Sequence, residues 1–394
     1  MSVVDRVPLS RAEGALLLAL SRGSVKEKNL GRLRDLCDQI TDWQSLYHVA
    51  FAKMSAPFVY RNLKTLYNYE SIPGHEGYLK NLALRQQMAT LKVMSAARRF
   101  HTDCIEALAV PHAYIKGPAL ASMFYVDPGL RYSRDIDVLV SADHFASIIR
   151  CALHKGYRVV GNPESGRQIY EEQDLRAAIR YNDVVSVISP SGICIEVHKK
   201  IDKENSIFPT DDLLRRAVPV SFGGVEAYSL SCEDMFCFAC YHNTRHLWSN
   251  LHWLADLSTM LEGDKLDLEK SKRMADGYGL SYIVNACIEF DELAEFGEPP
   301  KRLETNNGSK LFDICLRNLA GNVDWERRLR QETGDMIIPL DETTRFGSWE
   351  RKISTLLKRS RPTFDQYEEL PLPDVLQWLY YPLKPYRALK KRLL

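Results

Sequence analysis

The hexapeptide Asp135-Ile136-Asp137-Val138-Leu139-Val140 constrains this chain more than any other stretch. Successive side chains of a strand point to opposite faces, so Asp135 and Asp137 share one face while Ile136, Val138 and Val140 enter a core from the other. Two carboxylates so close repel each other unless a cation lies between them. Hard oxygen donors of this kind suit Mg2+ or Mn2+. A second segment, Cys194-Ile195-Glu196-Val197-His198, repeats the alternation and adds a third carboxylate, with His198 two residues further along the same face. Three strand-borne carboxylates can clamp two ions, aligning an attacking oxygen with a leaving pyrophosphate. Asp-x-Asp alone is equally the solvated face of an ordinary strand. The apolar neighbours, the later Glu196 strand and a glycine turn eighteen residues upstream, at Gly117, shift the balance toward chemistry.

The surrounding pattern places these strands. Residues up to about 100 carry helical periodicity. Ser10 is a candidate N-cap before an apolar run to Leu20, Asp42 caps a run from Trp43, and Leu79 to Phe100 forms a long helix whose Leu82, Leu84, Met88, Leu91 and Met94 fall mostly on one side. From 101 to 230 the period changes. A helix Thr102–Val110 precedes a strand at Ala113–Ile115, the turn Lys116-Gly117-Pro118 and a short helix to Phe124. The Asp135 strand, a helix to about Lys155 and a strand at 156–160 follow. Val184–Ile188 and Ile193–His198 then make a hairpin around a four-residue loop, and Gly223-Gly224 makes another turn. Helix returns from Ser231. The expectation is therefore a helical region over 1–100, a mixed α/β core over 101–230 and a helical region over 231–394.

Several classes are excluded or disfavoured. No segment approaches the roughly 18 apolar residues of a membrane span, and the first residues lack the apolar run of a signal peptide. Nine cysteines at irregular spacing do not read as a disulfide framework, which points to a reducing, cytoplasmic setting. Walker and dinucleotide fingerprints are absent. The net charge of +1 gives no general attraction to nucleic acid or anionic lipid.

The motifs Ile115-Lys116-Gly117-Pro118-Ala119-Leu120, Tyr125, Pro128, Arg131, Asp135-Ile136-Asp137-Val138-Leu139-Val140 and Ile195-Glu196-Val197-His198 together resemble the bacterial uncharacterised nucleotidyltransferase family of the polymerase-beta-like superfamily. Asp42-Trp43, Tyr60-Arg61-Asn62-Leu63 and the helix with His242, His246, Trp248, Leu251, Trp253 and Asp256 extend the resemblance over most of the chain. The wide spacing from glycine to aspartate is similar to that of the aminoglycoside nucleotidyltransferases. The resemblance implies transfer of a nucleoside monophosphate from an NTP, with ATP the expected co-substrate, to a hydroxyl or phosphate of a small-molecule or peptide acceptor, releasing pyrophosphate. Asp135, Asp137 and Glu196 would hold two Mg2+ or Mn2+ ions. Gly117 would offer backbone N–H groups to phosphate at a helix start. The superfamily's second Gly or Ser is missing from this turn, and Lys116 would supply a point charge instead.

Arg131 and Arg134 precede the aspartates and are candidates for the phosphates, against the plainer reading of loop arginines or partners of a carboxylate. His198 would touch phosphate, orient Glu196 or serve as general base, against a purely structural histidine. His242, Arg245 and His246 form a polar helical stripe that offers acceptor or phosphate contacts, against a solvated face. Cys237 and Cys240 fall on a different helical face from that histidine pair, so one zinc ion would not collect them. The basic C-terminal run from Lys384 to Leu394 could touch anionic lipid, although a packed helix or frayed end is the plainer account. Two rival functions remain: a toxin-like transferase acting on tRNA or protein, and a non-catalytic nucleotide-binding relative.

Overall fold

Ser10 opens the first helix as the apolar run behind it suggests. Its hydroxyl accepts from the Glu13 amide, and the Glu13 carboxylate returns the bond to the Ser10 amide, so two orphan donors are satisfied reciprocally. The computed structural model describes residues 9–161, 168–202, 207–297, 307–319 and 361–384. After α1 (Arg11–Leu20) come α2 (Leu30–Cys37), α3 (Trp43–Ala52), α4 (Ala56–Leu66) and α5 (Glu76–Phe100). Asp42 caps α3 by accepting from the Ser45 amide.

Helix α5 differs from expectation in two ways. It does not stop near His101 but continues through a π turn at His101–Glu106. Its buried stripe is Leu79, Leu82, Ala83, Gln86, Thr90, Val93, Ala97 and Phe100, whereas Leu84, Met88 and Leu91 are exposed. Residue size misled the reading. The inward face needs small and polar side chains, because Gln86 donates to the Phe51 carbonyl and accepts from the Ala56 amide, tying α5 to α3 and α4.

The sheet follows: β1 (His112–Tyr114), α6 (Pro118–Phe124), β2 (Asp135–Val140), α7 (Ala142–His154), β3 (Arg158–Val160), α8 (Glu172–Tyr181), β4 (Val184–Ile188), β5 (Cys194–His198), α9 (Thr210–Arg215), β6 (Val218–Phe222) and β7 (Val225–Ser229). Seven strands form one mixed sheet in the order β3-β4-β5-β2-β1-β7-β6. The β4–β5 and β6–β7 pairs are antiparallel hairpins, whereas β2–β5 and β1–β7 are parallel. On one face Ile136, Val138, Val140, Val185, Val187, Ile195 and Val197 are wholly buried. Each such side chain stabilises the fold by about 1.5–3 kcal/mol relative to exposure. Helix α7 packs against β3, β4 and β5, and α9 against β1 and β2.

Among the described residues the further α-helices are α10 (Cys232–Arg245), α11 (His252–Glu262), α12 (Leu268–Tyr278), α13 (Ser281–Phe296), α14 (Asn307–Leu319) and α15 (Phe364–Glu369). Leu247 and Trp248, both in the left-handed region, separate α10 from α11. Arg22, 1% exposed, binds Asp291 at 2.9 Å and Glu262 at 2.6 Å, which fastens the end of α1 to α13 and α11.

The three consecutive sequence regions regroup into two compact units. Among the described residues, one combines 9–91, 120–133, 232–297 and 307–319; the other combines 92–119, 134–161, 168–202, 207–231 and 361–384 and contains the seven-stranded sheet. Periodicity reveals which face of a helix is buried but not its partner, so packing between the two ends of the chain was not readable. The expected basic helix at 386–394 lies outside the described residues.

Candidate active site

The parallel pairing of β2 with β5 builds the site. Its register sets Asp137 opposite Glu196 and Asp135 opposite Cys194, so Asp135, Asp137, Glu196 and His198 project from one face, away from the aliphatic core. Asp137 is 2% exposed, while Asp135, Glu196 and His198 are half-buried. Ligand atoms of Asp137, Glu196 and His198 all lie within 4.8 Å of one another.

Charge is arranged tightly here. His198 Nε2 lies 3.1 Å from Asp137 Oδ1 and 3.5 Å from Glu196 Oε2, and since carboxylates only accept, Nε2 carries the proton. Lys116 Nζ sits 3.3 Å from Asp137 Oδ2. Burial alone would drive the His198 proton off, but the hydrogen bonds to Asp137 and Glu196 outweigh it and raise the imidazole to about 9. Burial likewise pulls on the Lys116 ammonium, and Asp137, Asp135 and Glu196 more than offset it. Glu196 is held below the ordinary carboxylate range, chiefly by the hydrogen bond from His198. As arranged, His198 is therefore a cation that orients Glu196 and Asp137. The general-base role considered from sequence does not suit it in this state.

Lys116 reaches Asp137 because of the turn that carries it. Gly117 has φ +66, a left-handed conformation open to glycine and strained for other residues. Pro118 then starts α6 at a position where its missing N–H costs nothing. The Ile115 amide donates to the Asp137 carbonyl at 3.1 Å, so the strand end before the turn is fixed to β2 beside the carboxylate.

The donor set fits a hard divalent cation. Asp137 Oδ2 is buried with the Lys116 ammonium 3.3 Å away but without a hydrogen bond of good geometry, which leaves acceptor capacity on the carboxylate unspent. Three carboxylates face Lys116 and a protonated His198, so one net negative charge stands uncompensated, as a divalent ion requires. Oxygen-rich coordination suits Mg2+ or Mn2+, and His198 would join as a ligand only on giving up its proton.

Two further residues on this face were missed from sequence. Ser186 of β4 pairs with Glu196 across the hairpin, and its hydroxyl is buried without a hydrogen bond of good geometry. Cys194 lies beside it, its thiol pushed up to about 11 by burial and by Glu196. The signal was present, since Ser186 is the one polar residue in Val184-Val185-Ser186-Val187-Ile188.

The other candidates are placed elsewhere. Arg134 is exposed at the start of β2. Arg131, expected on phosphate, instead makes a two-pronged ion pair with Asp256, both bonds at 2.8 Å, and its Nη1 donates to Ser133 Oγ. Tyr125 donates to the same Asp256 carboxylate at 2.8 Å, in keeping with a packing role. A rigid fork matched to a buried carboxylate explains why this arginine serves the framework of its own unit. His242 and Arg245 lie on α10 and His246 in the turn just after it, in the unit that lacks the sheet. The two imidazoles are 4.6 Å apart and flank Trp253.

A model of the family described as uncharacterised nucleotidyltransferase matches residues 39–291, most of the chain and all of the strands above. No curated protein matches the chain.

Proposed function

Because the chain belongs to the uncharacterised nucleotidyltransferase family, we propose that it transfers a nucleoside monophosphate from an NTP to an oxygen of a small-molecule or peptide acceptor. The observation that carries this reading is the parallel register of β2 and β5, which sets Asp137 beside Glu196 on the polar face of an otherwise aliphatic strand pair. The acceptor oxygen attacks the α-phosphorus, the bond to the bridging oxygen breaks, and pyrophosphate leaves with the electron pair. The acceptor's proton passes to a carboxylate of the cluster. Glu196 is suited to this, since His198 keeps it ionised and oriented.

Asp135, Asp137 and Glu196 would hold the cation or cation pair, with His198 adjoining. Bound Mg2+ or Mn2+ would polarise the phosphates and stabilise charge on the leaving group. Lys116 is positioned to exchange Asp137 for a phosphate oxygen when substrate arrives, and the backbone N–H groups at the start of α6, after Gly117, would favour the same anion. Arg134, exposed before β2, is a further phosphate contact in this proposal. ATP is the co-substrate to try first.

The test is transfer from α-labelled NTPs with Mg2+ or Mn2+, following pyrophosphate release and label on pooled small-molecule, peptide and tRNA acceptors. Wild-type turnover should fall at least about a hundredfold in Asp137→Asn and Glu196→Gln. Equal turnover in all three proteins rejects the assignment. NTP binding without pyrophosphate release would mark a non-catalytic relative, and label on tRNA would move the acceptor to nucleic acid.

A further inference from the structure

We propose that Ser186 is a positioning residue for Glu196: its hydroxyl takes one oxygen of the Glu196 carboxylate when the other oxygen turns to a divalent cation. The inference rests on the metal-dependent reading above and adds a residue of β4 to the strand pair that carries the carboxylates.

The strand itself makes the hydroxyl conspicuous. Val184-Val185-Ser186-Val187-Ile188 is otherwise aliphatic, and β-branched residues suit such a strand better than serine does. Ser186 is 2% exposed, and its Oγ has no hydrogen bond of good geometry. The Cys194 thiol lies beside it, but sulfur is a weak partner for a hydroxyl. A hydroxyl taken out of water on these terms is a standing loss to the fold, because its desolvation is not repaid.

The register supplies an acceptor. Strands β4 and β5 pair antiparallel with Ser186 directly opposite Glu196, and β5 pairs in parallel with β2, with Glu196 opposite Asp137. Ser186, Glu196 and Asp137 therefore stand in one row on one face of the sheet. The Cβ atoms of a directly opposed antiparallel pair lie about 4.5–5.5 Å apart, within reach of a glutamate that swings toward the serine.

The acceptor is weakly held from its other side. Among the described residues His198 is the donor to Glu196, and its Nε2 proton is shared between Asp137 Oδ1 at 3.1 Å and Glu196 Oε2 at 3.5 Å. The closer contact goes to Asp137, so Glu196 receives the longer arm. A donor without a good acceptor thus stands across the hairpin from an acceptor without a close donor. A neutral hydroxyl can hold the second carboxylate oxygen without setting another positive charge against the ion, as a lysine or arginine there would. Groups that orient a ligating carboxylate in this manner contribute to metal affinity, and losing one typically weakens binding by about 10–100-fold.

The experiment is a Mn2+ titration of the full-length protein, read from the electron paramagnetic resonance of the free ion, in wild type, Ser186→Ala, Ser186→Thr and Ser186→Val. Ser186→Ala should bind Mn2+ roughly ten- to a hundredfold more weakly than wild type. Its metal-free melting temperature should nonetheless hold or rise, since an unrepaid hydroxyl has left the interior. Threonine and valine share one shape, so any packing strain is common to both. Ser186→Thr, which keeps the hydroxyl, should bind Mn2+ at least about tenfold more tightly than Ser186→Val. Equal Mn2+ affinity in wild type and Ser186→Ala, or in the threonine and valine variants, overturns the proposal and leaves the transferase reading standing. A metal-free Ser186→Ala protein that melts several degrees below wild type also overturns it, because the hydroxyl would then be serving the fold. Wild type that binds no Mn2+ overturns both readings together. None of these readouts depends on NTP or acceptor.

Discussion

Truncating Asp256 to alanine should destabilise the protein by about 3–5 kcal/mol, far more than an ordinary ion pair would suggest. Both partners are buried, with Arg131 side-chain exposure of 4% and Asp256 of 3%. Two N–H bonds of 2.8 Å join them, and the Tyr125 hydroxyl adds a third at 2.8 Å. Removing the carboxylate leaves a guanidinium, which cannot shed its charge, without its main counter-ion in a low-dielectric site, and a phenol without an acceptor. An exposed pair would cost only about 0–1 kcal/mol. The measurement is urea unfolding of wild type, Asp256→Ala and the apolar double substitution Arg131→Met with Asp256→Leu. The double variant should recover most of the loss, since it removes both charges together. A loss below about 1 kcal/mol in Asp256→Ala would refute the reasoning. So would a double variant no more stable than the single, because the penalty would then not arise from an uncompensated charge.

Three other outcomes follow from the site and the sheet. Mn2+ at a hundred times its dissociation constant should stabilise wild type by about 2.7 kcal/mol in thermal melts, and the gain should vanish in Asp137→Asn. Lys116→Met should raise the KM for NTP roughly tenfold or more while the circular dichroism spectrum stays unchanged, and an unaltered KM would remove Lys116 from the phosphate site. His112 should make the protein acid-sensitive. Its Nε2 accepts from the Tyr228 amide, so Nδ1 carries the proton given to the Val110 carbonyl, and burial lowers the ring to about 4. The unfolded chain then binds more protons between about pH 6.5 and 4, and stability present above that window falls by about 3 kcal/mol across it. His112→Gln should flatten that slope in urea titrations taken at several pH values.

Strands whose faces differ sharply were legible. The Asp135 strand begins and ends where alternation places it, and so does the Val184 strand, because one face is wholly aliphatic and one residue of slip would bury a carboxylate. Glycine at the Lys116 turn was legible too, since a positive φ asks for it. What failed was the choice among apolar stripes on α5, where Gln86 and Thr90 go inward for hydrogen bonds that hydropathy does not weigh, while Met88 and Leu91 stay out. The partner of Arg131 was also hidden, because Asp256 lies 125 residues away and nothing local couples the two. Within the site the carboxylates were readable one strand at a time. The charge state of His198 was not, since it depends on two carboxylates converging on one nitrogen.

That convergence rests on a pairing that local sequence cannot enforce. A hairpin aligns β4 with β5, but β2 and β5 run parallel and are joined through α7, β3, α8 and β4. Parallel neighbours need such a crossover, and its length fixes no register. The register comes instead from the opposite face. Ile136 lies opposite Ile195 and Val138 opposite Val197, and all four are wholly buried with Val185 and Val187 of β4 alongside. Sliding β5 by one residue would turn Ile195 and Val197 toward the polar face and drive Glu196 into the aliphatic core. That loses about 3–6 kcal/mol of aliphatic burial before the cost of an unpaired buried carboxylate is added. The alternation that makes the sheet stable is therefore the same feature that holds Asp137 and Glu196 side by side. Substitutions on the aliphatic face, such as Val197→Ala, should reach the chemistry through the position of Glu196 and His198, without touching either one.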